Sequence, residues 1–100
     1  MELEMAIGLT VEFNIGEGQN EAFEAFMAGA TAKVKAEDAG CNNYDLFRSV
    51  DDDTRYLLFE NWATEEDLTA HGTSEAMAGM AGIREFTTGR PVLHRYDVPD

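Results

Sequence analysis

Residues Gly40–Met77, GCNNYDLFRSVDDDTRYLLFENWATEEDLTAHGTSEAM, decide how this chain is organised. They read as strand, acidic turn, strand, helix. From Asn42 to Val50, Tyr44, Leu46 and Arg48 point one way and Asp45, Phe47 and Ser49 the other, the period of a strand. Asp51–Thr54 is a turn, short enough to imply an antiparallel hairpin. Arg55–Trp62 is the return strand, and its run Tyr56-Leu57-Leu58-Phe59 predicts cover on both faces. Thr64, with Asp67 three residues on, is close to a capping box. The helix it starts carries Leu68, His71 and Gly72 on one face. Ser74 caps a further short segment holding Met77, Met80, Ala81 and Ile83. Glycines at 72, 79 and 82 predict that this segment is broken or mobile. Phe86 closes it, and Thr87–Pro91 reads as a loop.

The flanking segments supply the packing. In Met5–Ile15 the odd positions are apolar and the even positions mostly small, so this is a strand. Gly16-Glu17-Gly18 ends it. Gln19–Ala39 is helical, with Phe23, Phe26, Met27, Ala30 and Val34 in one stripe, Asn20 as N-cap and Gly40 as the stop. Val92–Val98 is a last strand with Val92, His94, Tyr96 and Val98 on one face. The order β-α-β-β-α-β defines an α+β, ferredoxin-like domain spanning residues 1–100, an antiparallel sheet with both helices on one side. Two helices cover one face only, yet the third strand is apolar on both. A second copy laid on the open face would hide that surface, so a symmetric homodimer is expected.

Seven Lys and Arg against twenty Asp and Glu give a net charge of -13. That balance argues against nucleic acid and against anionic membrane surfaces as partners. One cysteine, Cys41, rules out an intrachain disulfide, and no segment reads as a signal peptide or membrane span. A cytoplasmic location is the expectation.

The run Gly40-Cys41 … Tyr44-Asp45-Leu46-Phe47, followed by Glu60-x-Trp62-x-Thr64-x-x-x-Leu68-x-x-His71-x-x-Ser74-x-x-Met77, resembles the antibiotic biosynthesis monooxygenase (ABM) family, which includes small quinol monooxygenases. The resemblance implies a dimeric α/β barrel of two ferredoxin-like protomers, each with a pocket between sheet and helices. It also implies oxygenation of electron-rich phenols or quinols with no metal and no flavin cofactor. A haem-degrading branch resembles itself in an Asn of the first strand, a Trp ending the third, and a histidine ligand after the Ser motif. Here Trp62 fits, Met5–Phe13 contains no Asn, and the ligand position falls on Ala81, so haem chemistry is not expected.

Oxygenation without a cofactor needs a base, a donor to the oxyanion and an apolar box that excludes water. His71 is the first candidate base, and a helix-anchoring histidine is the structural alternative. Glu60 shares the phase of Trp62; it orients His71 or acts as a base of raised pKa, or else pairs with Arg48 or Arg55 across the hairpin. Trp62 and Tyr44 offer a ring-binding wall or plain core packing. Met77 fills pocket or core, and His94 lines a pocket or the dimer seam. Arg84 and Arg90 could hold an anionic group or stay solvated. Cys41 lacks a partner histidine at a useful spacing, and Asp51–Asp53 lacks the calcium-loop pattern. The reading is a cofactor-independent monooxygenase acting on a phenolic or quinol-type small molecule. Its rivals are an isomerase or lyase using His71 and Glu60, and a binding module without turnover.

Overall fold

The computed structural model describes residues 5–99. Strand β1 (Met5–Ile15) leads to helix α1 (Asn20–Glu37), then strands β2 (Cys41–Arg48) and β3 (Arg55–Trp62). Helices α2 (Glu65–Gly72) and α3 (Glu75–Ala78) follow, then a 3-10 segment (Gly79–Glu85) and strand β4 (Thr87–Pro99). The sheet is ordered β2-β3-β1-β4, antiparallel throughout. This is the ferredoxin-like α+β arrangement that the alternation of patterns predicts.

Register decides what faces the helices. Ile7 lies opposite Trp62, Leu9 opposite Glu60, Val11 opposite Leu58 and Phe13 opposite Tyr56. On the next strand pair, Tyr44 lies opposite Glu60 and Leu46 opposite Leu58. With period two, all of these share one face. Most are buried and form one core with Phe23, Met27 and Val34 of α1. Phe23 is fully buried and packs its ring against Phe13, Tyr56 and Phe86. Burying such a ring is worth about 2–3 kcal/mol.

Among the described residues, no helix covers the other face. Phe47 is 55% exposed and Tyr96 50% exposed, while Leu57 and Phe59 are half-buried. Val92, His94 and Tyr96 lie opposite Glu12, Thr10 and Gly8 on this same face. Gly8 lets β4 pack close: a Cβ there would meet the Val98 side chain at 3.1 Å.

Two local expectations need correction, and a third holds. Asn20 is not the cap of α1; Gln19 holds that place with no side-chain cap bond. The Asn20 amide donates instead to the Asp53 carbonyl at 2.6 Å and the Tyr56 hydroxyl at 2.8 Å, tying α1 to the hairpin turn. The second helical region is broken, as its glycines predict, and its break is a change to 3-10 geometry at Gly79. Thr87–Pro91 belongs to β4 and is not a loop. Pro91 is tolerated because β4 is an edge strand, and Gly89 (φ +71°) takes up the irregularity. Among the described residues no helix is long and apolar enough to cross a membrane.

Candidate functional site

The interrupted cover formed by α2, α3 and the 3-10 segment does not close onto the sheet. Between them lies a cavity of about 860 Å³. Leu9, Val11, Phe13 and Leu58 form its floor, and Met77, Met80 and Ile83 its roof. A smaller hollow of about 390 Å³ lies on the opposite side, between α1 and β2, lined by Glu24, Arg48 and Tyr56 among others. Tyr44 lines both hollows and so forms part of the wall between them.

The polar groups of the larger cavity gather at one end. Thr64 caps α2 by accepting from the Asp67 amide at 3.1 Å, and this sets the helix phase that turns Leu68 and His71 inward. Ser74 caps α3 in the same way through the Met77 amide at 3.1 Å. His71 of α2 and the Ser74 cap of α3 both meet Asp38, which ends α1. The Asp38 carboxylate accepts from His71 Nδ1 at 2.6 Å and from Ser74 Oγ at 3.0 Å. Both members of the Asp38–His71 pair are buried, their side chains 7% and 5% exposed. A carboxylate can only accept, so the imidazole proton sits on Nδ1 and Nε2 is left as the acceptor. That atom lies 3.9 Å from Glu60 Oε1, too far for a hydrogen bond but close enough for charge to be felt.

Glu60 is buried and accepts from the Trp62 indole N–H at 3.0 Å. Burial pushes its carboxyl above the ordinary range, against the opposing pull of that hydrogen bond and of His71. Trp62 stacks on the imidazole with ring centres 4.4 Å apart, and Tyr44 meets it edge-on at 5.7 Å. Burial, and then the charge of Glu60, push the Tyr44 phenol upward, so it stays a neutral hydrogen-bond donor. The site thus combines an oriented imidazole, a buried carboxylate and a neutral phenol facing an apolar hollow.

The structure brings His71, Glu60, Tyr44 and Met77 together around this cavity. Trp62 is not a wall of it. Its side chain is fully buried behind His71 and Glu60, where it holds both in place. His94 stands apart on the open face of the sheet, because it shares the register of Thr10 rather than Leu9. Glu60 does not pair across the hairpin: Arg48 pairs with Glu24 at 3.6 Å and Arg55 with Glu12 at 2.6 Å. Cys41 is half-buried, and burial and then the charge of Glu60 raise its thiol, so it is a poor nucleophile. Ala81 lines the cavity where a haem-type histidine would stand. The first strand extends far enough to include Asn14, which is exposed and outside the cavity lining. Among the described residues, no group of three or more His, Cys, Asp or Glu is placed to hold a metal ion.

Asp38 is the residue that sequence reasoning missed. One signal was available: an acid in the last position of a helix opposes the helix dipole and calls for another reason to be there. Gly40 is its structural companion. It has φ +76°, and a Cβ there would fall 2.0 Å from the Asp67 side chain. Only glycine permits the chain to turn so tightly from α1 into β2 beneath α2.

A family model described as antibiotic biosynthesis monooxygenase matches residues 6–82. Among solved structures, a protein from Caulobacter crescentus, provisionally named an antibiotic biosynthesis monooxygenase, is 28% identical with a TM-score of 0.88. The match covers 96% of this chain and 92% of that one. A protein from Nitrosomonas europaea with the same provisional name is 19% identical with a TM-score of 0.83, covering 97% of this chain and 92% of its own. A conserved protein from Methanosarcina mazei is 14% identical with a TM-score of 0.85, covering 95% and 94%. At the lower identities the likeness speaks for the fold alone. No curated protein matches the chain.

Proposed function

The chain belongs to the antibiotic biosynthesis monooxygenase family, and from that premise we propose that it oxygenates a phenolic or quinol-type small molecule without a cofactor. The observation that carries this reading is the buried Asp38–His71–Glu60 arrangement at one end of an apolar cavity of about 860 Å³. A cavity of that size suits one or two fused rings.

In the proposed reaction His71 Nε2 takes the phenolic proton. The imidazolium that forms lies between two carboxylates, Asp38 and Glu60, which favour it electrostatically. The phenolate gives one electron to O₂, and the resulting radicals join at the ring carbon to form a C–O bond. The proton held by His71 passes to the peroxide. Loss of water then breaks the O–O bond, the ring C–H proton leaves, and a carbonyl forms. One oxygen atom ends on carbon and the other in water. The substrate supplies all four electrons, so a phenol becomes a quinone with no added reductant. Tyr44, held neutral, donates to the developing oxyanion. The apolar floor excludes water from the peroxide.

A second copy of the chain is the proposed cover of the open sheet face, where Phe47, Val92 and Tyr96 are exposed. Sedimentation velocity at micromolar concentration should find a dimer. Oxygen uptake with a panel of hydroquinones and phenols tests the chemistry. Wild-type protein should consume O₂ with quinone formation, and His71→Ala should lower the rate by roughly a hundredfold or more. No uptake above background with any member of the panel would sink the oxygenase reading. Turnover that persists when O₂ is removed would move the assignment to proton transfer, as in an isomerase or lyase using His71 and Glu60.

A further inference from the structure

Seven cationic side chains serve this chain of net charge -13, and the structure places them unevenly. Lys35, Arg48, Arg55 and Arg95 each pair with a carboxylate. Arg84 and Arg90 have no ion pair among the described residues, although acids outnumber bases almost three to one. These two arginines are also the only Lys or Arg residues that line the large cavity. Both residues are exposed, so they stand at its rim rather than in its floor. The remaining unpaired cation, Lys33, lies on the exposed face of α1 and lines neither hollow.

A backbone device puts Arg90 there. Along β4 the pairing steps from Val92 opposite Glu12 to Thr88 opposite Asn14. Three residues of β4, Gly89, Arg90 and Pro91, therefore face the single residue Phe13. In an unbroken strand Arg90 would share the phase of Val92 and lie on the open face. The bulge, made at Gly89 with φ +71°, brings Arg90 and Pro91 to the cavity together. Arg84 comes from the other wall, near the end of the 3-10 segment. Two arginines from separate elements thus line the same hollow, whose interior is largely apolar.

We propose that the mouth of the cavity is an anion clamp, and that the substrate is a ring compound bearing a carboxylate, gripped by Arg84 and Arg90 while its ring reaches His71. The proposal rests on the oxygenase reading for the word substrate, but its binding claim does not require turnover. A guanidinium offers paired donors that fit a planar carboxylate. The clamp would also fix orientation: with the acid held at the mouth, the opposite end of the ring points to Glu60 and His71 at the inner end. A strongly acidic surface repels free anions in general, so a local pair of unneutralised arginines selects anions that also carry an apolar body.

Calorimetric titration without O₂ tests this with three probes of one ring skeleton: a hydroxynaphthoic acid, its methyl ester and the parent naphthol. Wild type should bind the acid at least tenfold more tightly than the ester. Arg84→Gln and Arg90→Gln should each weaken the acid roughly fivefold and leave the naphthol unchanged. Lys33→Gln, which removes the same charge elsewhere, should leave the acid's affinity as it was. Acid and ester binding equally, no binding of the acid up to its solubility, or equal loss of acid and naphthol in the arginine variants would each overturn the clamp. Because binding is read without O₂, a failed oxygenase assay leaves this result standing, and a failed clamp leaves the oxygenase assay to be judged by its own outcome.

Discussion

Two helical covers lie on the same face of one sheet and behave differently. Helix α1 is a single run of 18 residues, and Phe23, Met27 and Val34 along it are buried to within 1%. The second cover is split into segments of 8, 4 and 7 residues with glycines at its joints. It leaves a hollow of about 860 Å³ beneath it. The first cover packs closely on the sheet, and the second gives up close packing, leaving the space that the proposed substrate would fill. Asp38, the last residue associated with α1, ties the two covers together by hydrogen bonds to His71 and Ser74 of the second.

That contrast can be broken or sharpened by mutation. The largest effect is expected from Phe23→Ala, which empties the centre of the first cover and should cost about 3–5 kcal/mol in chemical denaturation. A loss below about 1 kcal/mol would mean that α1 is not the stabilising element. Gly40→Ala forces a left-handed turn on a residue with a Cβ and drives that Cβ into Asp67. A cost of about 2–3 kcal/mol is expected, seen as a lower thermal midpoint.

Asp38→Asn keeps the shape of the joint and removes its charge. Oxygen uptake should fall by roughly a hundredfold, or about 2.7 kcal/mol in barrier, with the dependence on pH altered. A purely structural joint would instead lower stability and leave the pH profile of the remaining activity in place.

Glu60 gives a pH test of smaller size. Burial raises its folded-state pKa, so the folded chain holds this proton more tightly than the unfolded chain does. Its contribution to stability is therefore fully present below the ordinary carboxyl range and is lost as pH rises through the raised value. Glu60→Gln should gain stability relative to wild type as urea unfolding is moved from acid to mildly alkaline pH. A constant difference across that range would show that the carboxylate is not penalised by burial.

Met77→Ala should have the smallest effect on folding. Met77 is 40% exposed and lines the second cover, so about 1 kcal/mol or less is expected in stability, together with weaker ring binding in the calorimeter. A loss as large as that of Phe23→Ala would erase the distinction between the covers.

Much of this architecture was legible in local pattern. The odd-numbered face of β1, the stripe of α1, the bounds of β3, and the caps at Thr64 and Ser74 all follow from period or spacing within a few residues. So does the inward phase of His71, because a cap and a helical repeat set it. The opposite phases of Leu93 and His94 were equally visible, but which of them would meet the cavity was not. That depended on the register of β4 against β1, a pairing between residues about 80 apart in the chain.

The chain's own pattern settled the order of elements, the alternation of β1 and the weakness of the second cover, because each is written in neighbouring residues. Tertiary packing alone decided that Asp38 meets His71 across 33 residues, that Trp62 stands behind the cavity, and that a bulge turns Arg90 into its mouth. Backbone periodicity is local, whereas a side-chain hydrogen bond between distant elements exists only once helix and sheet have settled at a particular distance and angle.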